Sequence, residues 1–497
     1  MGMSEIKKYK LYINGQWEEA ASGKTFGTIN PYTGEVWAEI AEGDEEDVDR
    51  AVRAARKAFE NPDWKRLTPT ERGNLLRKLG DLVKDHAERL AQIETRDNGK
   101  LIREMLIQTK LIPQWCYYYA GWADKIMGEV IPLEKPNIFN YTLREPLGVV
   151  GAIVPWNSPL LLTFWKMAPA LATGNTIVIK PSEHTSASLL ELVPLIEQAG
   201  FPPGVVNVVT GYGETAGAAL TRHHLVNKIA FTGGVETGKL VAKNAANHLA
   251  RVSLELGGKS PNIVFPDANL DNAVNGIIAG IFAASGQTCI AGSRLFLHEK
   301  IHQEVLERLI DKASKIKMGD PSKMETEMGP IALKEQLDKI KKYVEIGLQE
   351  GAKLVYGGEQ PTEPELRKGW FFKPTIFTGV QNHMRIAQEE IFGPVLCVLT
   401  FRDEEEVIRL ANDTPYGLAA GIWTQDIQRA HRVARELQAG TVWINTYRNI
   451  SFASPFGGYK NSGYGRENGP EVLKEYTQVK SVWVELSGIV PDPFVMR

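Results

Sequence analysis

Cysteine is scarce in this chain: Cys116, Cys289 and Cys397 are the only three in 497 residues. An odd, sparse set argues against a disulfide framework and suits a reducing compartment. Charge of one sign is not in excess either. The 57 Lys and Arg against 60 Asp and Glu leave a net charge of −3, which gives no footprint for nucleic acid or an anionic membrane. No apolar run approaches the ~18 residues of a membrane span. The longest candidates, such as LGVVGAIVP (147–155), have the length of buried strands. The N-terminal MGMSEIKKYK is polar and lacks the apolar stretch of a signal segment. Internal repeats and low-complexity stretches are missing. So are HExxH, CxxC and Gly-x-x-x-x-Gly-Lys-Ser/Thr motifs, which argues against metal catalysis and P-loop chemistry and predicts no metal site. The expectation is a soluble cytoplasmic protein with neither nucleic acid nor membrane as partner.

What is present is ordinary globular composition, 43% hydrophobic and 24% charged. At about 150 residues per domain the length suggests three domains. Val48, Ala51, Val52, Ala55 and Phe59 recur at helical spacing after Asp44. A second helix opens at Thr68-Pro69-Thr70-Glu71, where Thr68 and Glu71 form a capping box and Pro69 suits the first turn. Its apolar face runs on through Leu90 and Ile93, predicting one helix to Gly99. From about residue 148 short apolar runs alternate with helical segments: 148–154, 176–180, 205–209 and 228–231. This is a βαβ series and hence a helix-covered parallel sheet. Strands restart in a second α/β context at 294–297, 394–401, 419–423 and 440–445.

Few residues suggest chemistry on their own. Gly211, Gly213 and Ala216 match part of a dinucleotide fingerprint, with a plain tight turn as the equal alternative. Gly233 to Gly238 follow a strand and open a helix, whose free amides would favour a pyrophosphate, with a plain turn again the alternative. Cys289 lies among small and polar residues and reads as a nucleophile or an inert buried thiol. Glu255, in LELGG at a strand end, is a carboxylate among apolar residues. It must be paired, exposed or raised in pKa, and a raised pKa suits a general base. His298 and His302 are four apart, but without a third ligand they read as a solvated face.

These segments also carry a family resemblance. YINGQW (12–17), NPYTGE (30–35), PWNSPL (155–160), PALATGNTIVIKPSE (169–183), FTGG (231–234), LELGGKSPNIV (254–264), GQTCIAGSR (286–294), EEIFGPV (389–395) and SPFGGYKNSGYGRE (454–467) occur in this order. Together they make the chain resemble the aldehyde dehydrogenase superfamily, in its NAD-dependent, non-acylating branch, nearly end to end. The resemblance implies an α/β fold with a Rossmann-type cofactor domain (1–126 and 147–256). An α/β catalytic domain (257–475) and a small β oligomerisation element (127–146 and 476–497) complete it. A homodimer or homotetramer follows by the same resemblance.

It also implies roles. Cys289 would attack the aldehyde carbonyl and pass through a thiohemiacetal to a thioester. Asn157 and the Cys289 backbone N–H would hold the oxyanion. Glu255 would activate the hydrolytic water. Lys166 matches a position that helps relay protons, although by itself it reads equally as a surface lysine on a helix. Lys180 and Glu183 match residues that hold the adenosine ribose. A glutamate there favours NAD over NADP, because it would repel a 2′-phosphate. Trp156, Gly213, Gly233, Gly238, Leu256, Glu390 and Phe392 complete the cofactor set. Gly234 departs from the many relatives that carry a serine there. The positions matching the substrate tunnel are Leu111, Trp115, Ser158, Leu162, Trp165, Thr288, Ile290, Asn449, Ile450 and Phe456. Arg448, at the tunnel mouth, is either a solvated loop residue or a receiver for a carboxylate on the substrate. Two rivals remain: a CoA-acylating semialdehyde dehydrogenase, against which Glu255 argues, and a catalytically silent binding or structural relative, against which Cys289, Glu255 and Asn157 argue.

Overall fold

The computed structural model describes residues 6–490 and 492–495. The first five residues of the N-terminal stretch, and residues 491, 496 and 497 of the tail, lie outside the described residues. The expected runs of buried apolar residues become two parallel sheets. In the first, the strands Val149–Val154, Thr176–Pro181 and Val206–Val208 lie side by side, while Lys228–Thr232 and Arg251–Glu255 return to the other flank of Val149–Val154. Strands covered on both faces can be apolar throughout, as VVGAIV is. The sheet is closed at one edge by an N-terminal hairpin, Leu11–Ile13 with Gln16–Glu18. The other edge is closed by Gly463–Tyr464, antiparallel to the Glu255 strand. Gly463 adopts φ +113. A Cβ there would fall 1.9 Å from the Leu254 carbonyl oxygen, so only glycine allows this approach.

The second sheet orders Thr375–Thr378, Val395–Phe401, Arg294–His298, Pro261–Val264, Ala419–Trp423 and Thr441–Ile444 in parallel, with Lys353–Tyr356 antiparallel at one edge. A third, antiparallel sheet pairs Thr477–Glu485 with Ile138–Pro146, and Val130–Ile131 adds a short third strand. This sheet presents Val479, Trp483, Phe139 and Leu143 to solvent.

The expected capping box forms, and a second, not read from the residues, opens an earlier helix. Asp44 and Asp47 start Glu45–Glu60, and Thr68 and Glu71 start Pro69–Asp85. The single helix expected as far as Gly99 is instead two, Pro69–Asp85 and Ala87–Asn98, broken at His86. The apolar period runs through the break because Leu76, Leu79, Val83 and Leu90 all enter one core. The pair His298 and His302 is also corrected. His298 is buried with its ring centroid 5.3 Å from that of Phe401, and His302 Nε2 lies 3.1 Å from Thr378 Oγ1. Neither belongs to a solvated face. Among the described residues, no helix is long and apolar enough to cross a membrane.

Candidate active site

The first sheet changes winding direction between Val149–Val154 and Lys228–Thr232. Crevices at the carboxyl ends of strands beside such a switch are where open α/β sheets bind ligands. A cavity of about 180 Å³ opens there, and its lining includes Trp156 and Asn157 after one strand, Gly233 and Gly234 after the other, and Glu255 and Leu256 after the next. Cys289, Leu162, Glu390 and Phe392 come to the same cavity from elsewhere. Glu255 and Cys289 are far apart along the chain, and the fold removes the separation.

Glu255 ends its strand and is only 4% exposed. Neither carboxylate oxygen has a hydrogen-bond partner. Burial, reinforced by Glu467, holds its pKa well above the ordinary range, against the pull of Lys166. The Cys289 thiol is pushed up to about 12 by burial, then by Glu390 and Glu255, while its own and the Ile290 backbone amides pull it down. Those amides are the donors that a negative sulfur would meet. The Asn157 side-chain amide donates to the Gln287 carbonyl at 3.1 Å, so it already faces the nucleophile's loop. Cys116 and Cys397 are fully buried, and the Cys397 Sγ donates to the Ile386 carbonyl.

Lys166 is not a surface residue. Every residue of its helix, Pro159–Ala172, is buried. Its ammonium donates to Glu467 at 2.6 Å and to Thr232 Oγ1 at 2.8 Å. Residue patterns missed Glu467, which is 301 positions away and appeared only as the last residue of the 454–467 motif.

The cofactor candidates divide into two groups. At the cavity, Trp156 meets Phe392 edge-on at 5.3 Å. Phe392 adopts φ +59, and Gln336 donates to the carbonyls of Ile391 and Phe392, bracing that loop. Glu390 accepts from the Gly258 amide at 2.9 Å. A Cβ on Gly257 would lie 2.1 Å from the Glu390 carboxylate. Gln336 and Lys339 line the cavity and escaped the sequence reading. Helix Val235–Ala246 starts at Gly234 without a side-chain cap, so its first amides are available to a phosphate. Gly238 fits against Leu256, where a Cβ would come within 2.6 Å, whereas Gly234 faces open space.

Away from the cavity lining, Lys180 and Glu183 pair at 3.0 Å. Burial opposes ionisation of Glu183, but Lys180, the residue's own backbone amide and His184 together outweigh it and the pKa stays below the ordinary value. Gly213 begins one wide helical turn, Gly213–Gly217, with nothing near its missing Cβ. The open amides, the unpartnered carboxylate and the aromatic walls fit a dinucleotide with its reactive end near Cys289.

The tunnel candidates form an aromatic group. Trp115 stacks on Trp165 at 6.2 Å, Trp165 meets Phe456 at 5.1 Å, and the unforeseen Phe452 meets Trp115 at 5.8 Å. Trp115 is anchored to Asn468. Thr288 and Ile290 flank Cys289, and the Ile290 carbonyl accepts from Tyr447. Ile450 packs on the core, while Asn449 is exposed. Leu111 is 38% exposed at the end of its helix. Ser158 Oγ accepts from Lys100. The Arg448 guanidinium donates to the Ala279 carbonyl at 3.0 Å, from a backbone with φ +64. It therefore tethers its loop to the helix Leu270–Ile281.

A nucleophilic cysteine beside an unpartnered carboxylate, at the mouth of a dinucleotide crevice, defines an oxidoreductase that works through a covalent acyl intermediate. Comparison with known proteins agrees. The model of the aldehyde dehydrogenase family matches residues 17–482. Cytosolic aldehyde dehydrogenase 1 of Rattus norvegicus is 48% identical, over 97% of this chain and 96% of its own. The NAD+ complex of an aldehyde dehydrogenase from Bacillus cereus is 50% identical and superposes with a TM-score of 0.94 over 97% of both chains. A point mutant of betaine aldehyde dehydrogenase from Staphylococcus aureus, solved with NAD+ and a BME-modified cysteine, is also similar. It gives a TM-score of 0.96 at 43% identity, over 98% of this chain and 99% of that one. The chain belongs to the aldehyde dehydrogenase family. It is accordingly an enzyme, an NAD-dependent oxidoreductase of aldehydes that uses a cysteine nucleophile.

Proposed function

We propose that Cys289 is that nucleophile and that Asn157, Glu255 and Lys166 serve its two half-reactions. The Cys289 thiol loses its proton to solvent as Sγ bonds to the aldehyde carbon, and the carbonyl π electrons move onto oxygen. The Asn157 amide and the Cys289 backbone N–H hold that oxyanion. Bound NAD supplies the hydride acceptor and a positive charge. When the oxyanion collapses, the hydrogen leaves with the carbon–hydrogen electron pair as hydride to that acceptor, and a thioester remains on Cys289. Glu255 then takes a proton from water as the water oxygen attacks the thioester. The carbon–sulfur bond breaks, the acid departs and the thiolate returns. Glu467 receives the Glu255 proton, and the Lys166 ammonium bonded to it completes the relay.

The observation that carries this reading is the Glu255 carboxylate, buried and without a hydrogen-bond partner, in the same cavity as Cys289. An NADH absorbance assay over a panel of aldehydes, run with and without CoA, tests it. Turnover that is independent of CoA is expected, and a strict need for CoA would overturn the hydrolytic role of Glu255.

Gly233, Gly234 and Gly238 seat the pyrophosphate, Lys180 and Glu183 the adenosine ribose, and Glu390, Phe392, Trp156 and Leu256 the nicotinamide end. Gly213 stays in the cofactor set as part of the turn before Ala218. NAD is preferred over NADP because of Glu183. The aromatic group of Trp115, Trp165, Phe452 and Phe456 favours aldehydes with an apolar or aromatic body. Residues 1–126 with 147–256 form the cofactor domain and 257–475 the catalytic domain. Residues 127–146 with 476–497 join two or four copies through the exposed apolar face of the third sheet. The rat relative's cytosolic name supports a cytoplasmic location.

A further inference from the structure

A charged group outside the set above reaches both walls of the cavity. Helices Ala87–Asn98 and Ile102–Leu111 are joined by a tight turn through Gly99. The next residue, Lys100, is 8% exposed. Its ammonium donates to Ser158 Oγ at 2.6 Å. Burial lowers its pKa, against the pull of Glu94 first and Glu104 second, and Cys289 lies within its field.

Each flanking carboxylate touches one wall. Ser158 is the N-cap of Pro159–Ala172, yet its side chain makes no bond to its own helix. The Glu94 carboxyl, fully buried, is raised to about 7 by that burial, against the pull of Lys100 and then of the Leu160 amide in that helix's first turn, while Gln108 donates to one of its oxygens. Negative charge at a helix start is favourable. On the opposite wall, Glu104 accepts from the Ala284 amide at 3.3 Å. Ala284 and Ser285 both take φ +52, and this left-handed stretch leads into Cys289. The walls meet where Asn157 donates to the Gln287 carbonyl.

We propose that Lys100 is a positioning residue for attack on the aldehyde: through Ser158 it fixes where Asn157 points, and with Glu94 and Glu104 it ties the Asn157 wall to the Cys289 wall. The inference rests on the roles of Asn157 and Cys289 given above. Its chemistry is alignment. A buried lysine bonded to a hydroxyl, in the field of two carboxylates, leaves the residue before that hydroxyl little freedom. The alternative, a neutral side chain at position 100, strands the buried Glu94 without a cation.

The test uses the whole enzyme with NAD and a reactive aldehyde, following the first turnover of NADH by stopped flow. Lys100→Met and Ser158→Ala should each slow the burst about ten- to a hundredfold, the scale of a small misplacement of reacting groups. The KM for NAD should stay within about twofold of wild type. The double variant should be no slower than Lys100→Met, because both changes break one bond. Ser158→Ala removes only a hydroxyl and carries the test if Lys100→Met does not fold. Bursts within twofold of wild type, with only melting temperature lowered, would overturn the proposal. Asn157→Ala, run alongside, separates the two readings. An unslowed burst there overturns the oxyanion role, whereas a slow burst there with normal bursts in the other variants overturns the role of Lys100.

Discussion

The Lys166 ammonium and the Glu467 carboxylate meet at 2.6 Å with side chains 0% and 2% exposed, behind the strand that ends in Glu255. An enclosed ion pair needs excellent geometry to offset its desolvation. Here it lies next to a carboxyl that is raised by Glu467 and lowered by Lys166. The pair therefore sets the proton affinity of the residue proposed to activate water.

Glu255→Gln should separate the half-reactions. The amide keeps the shape but takes no proton, so one NADH per subunit should appear as a burst while steady turnover falls at least ~100-fold. In the unmodified enzyme kcat should fall as pH drops through the raised Glu255 pKa, because only the ionised form accepts a proton. That limb should lie above the ordinary carboxylate value of 4.5. Loss of the burst as well would move Glu255 to an earlier step.

Cys289→Ala should abolish both aldehyde oxidation and ester hydrolysis. Cys116→Ala and Cys397→Ala should keep both activities, since their thiols are enclosed in the cores. Equal losses in all three would mark a stability effect, and thermal melts recorded with the assays would show it.

Glu183→Gln should improve kcat/KM for NADP relative to NAD by removing a charge beside the ribose. Gly234→Ser should lower the KM for NAD, because nothing lies within 4 Å of a Cβ at this position and a hydroxyl can reach a phosphate. Titration of intrinsic fluorescence with each cofactor would reveal the opposite ordering if the ribose site has been misplaced.

These sites differ in how far the residues alone reveal them. Most parallel strands of both sheets are legible because they are short apolar runs between Gly and Pro turns, whereas Pro261–Val264 and Thr375–Thr378, only four residues each, are not. The break at His86 is not, because the two helices around it bury a continuous stripe. Lys166 is misleading in isolation: a lone lysine on an apolar helix reads as exposed, and its partner lies 301 residues on. Lys100 and Glu94 carry no motif of their own, and their meaning comes from Ser158 across the fold.

Arg448→Ala should loosen the tunnel mouth by releasing the Ala279 carbonyl. If the guanidinium acts as a tether, KM should rise by a similar factor for neutral and carboxylate-bearing aldehydes of equal length. A rise confined to the acidic series would show that the same guanidinium receives substrate.

Trp483→Glu, on the open face of the third sheet, should shift the protein toward monomers in sedimentation velocity. Trp483 is 56% exposed and Val479 57%, and exposed apolar strand residues of this kind suit a partner sheet. An unchanged sedimentation coefficient would place the subunit contact elsewhere.

The strand that carries Glu255 borders Gly463–Tyr464, which the ribosome makes much later. At about 5–20 residues per second the interval is roughly ten to forty seconds. During that time the Glu255 strand presents a bare hydrogen-bonding edge to every neighbouring nascent chain. Glu467, the counter-ion of Lys166, arrives later still. Newly made chains are thus vulnerable to mispairing at the strand that becomes the catalytic wall, and chaperone demand should extend to this late-closing seam.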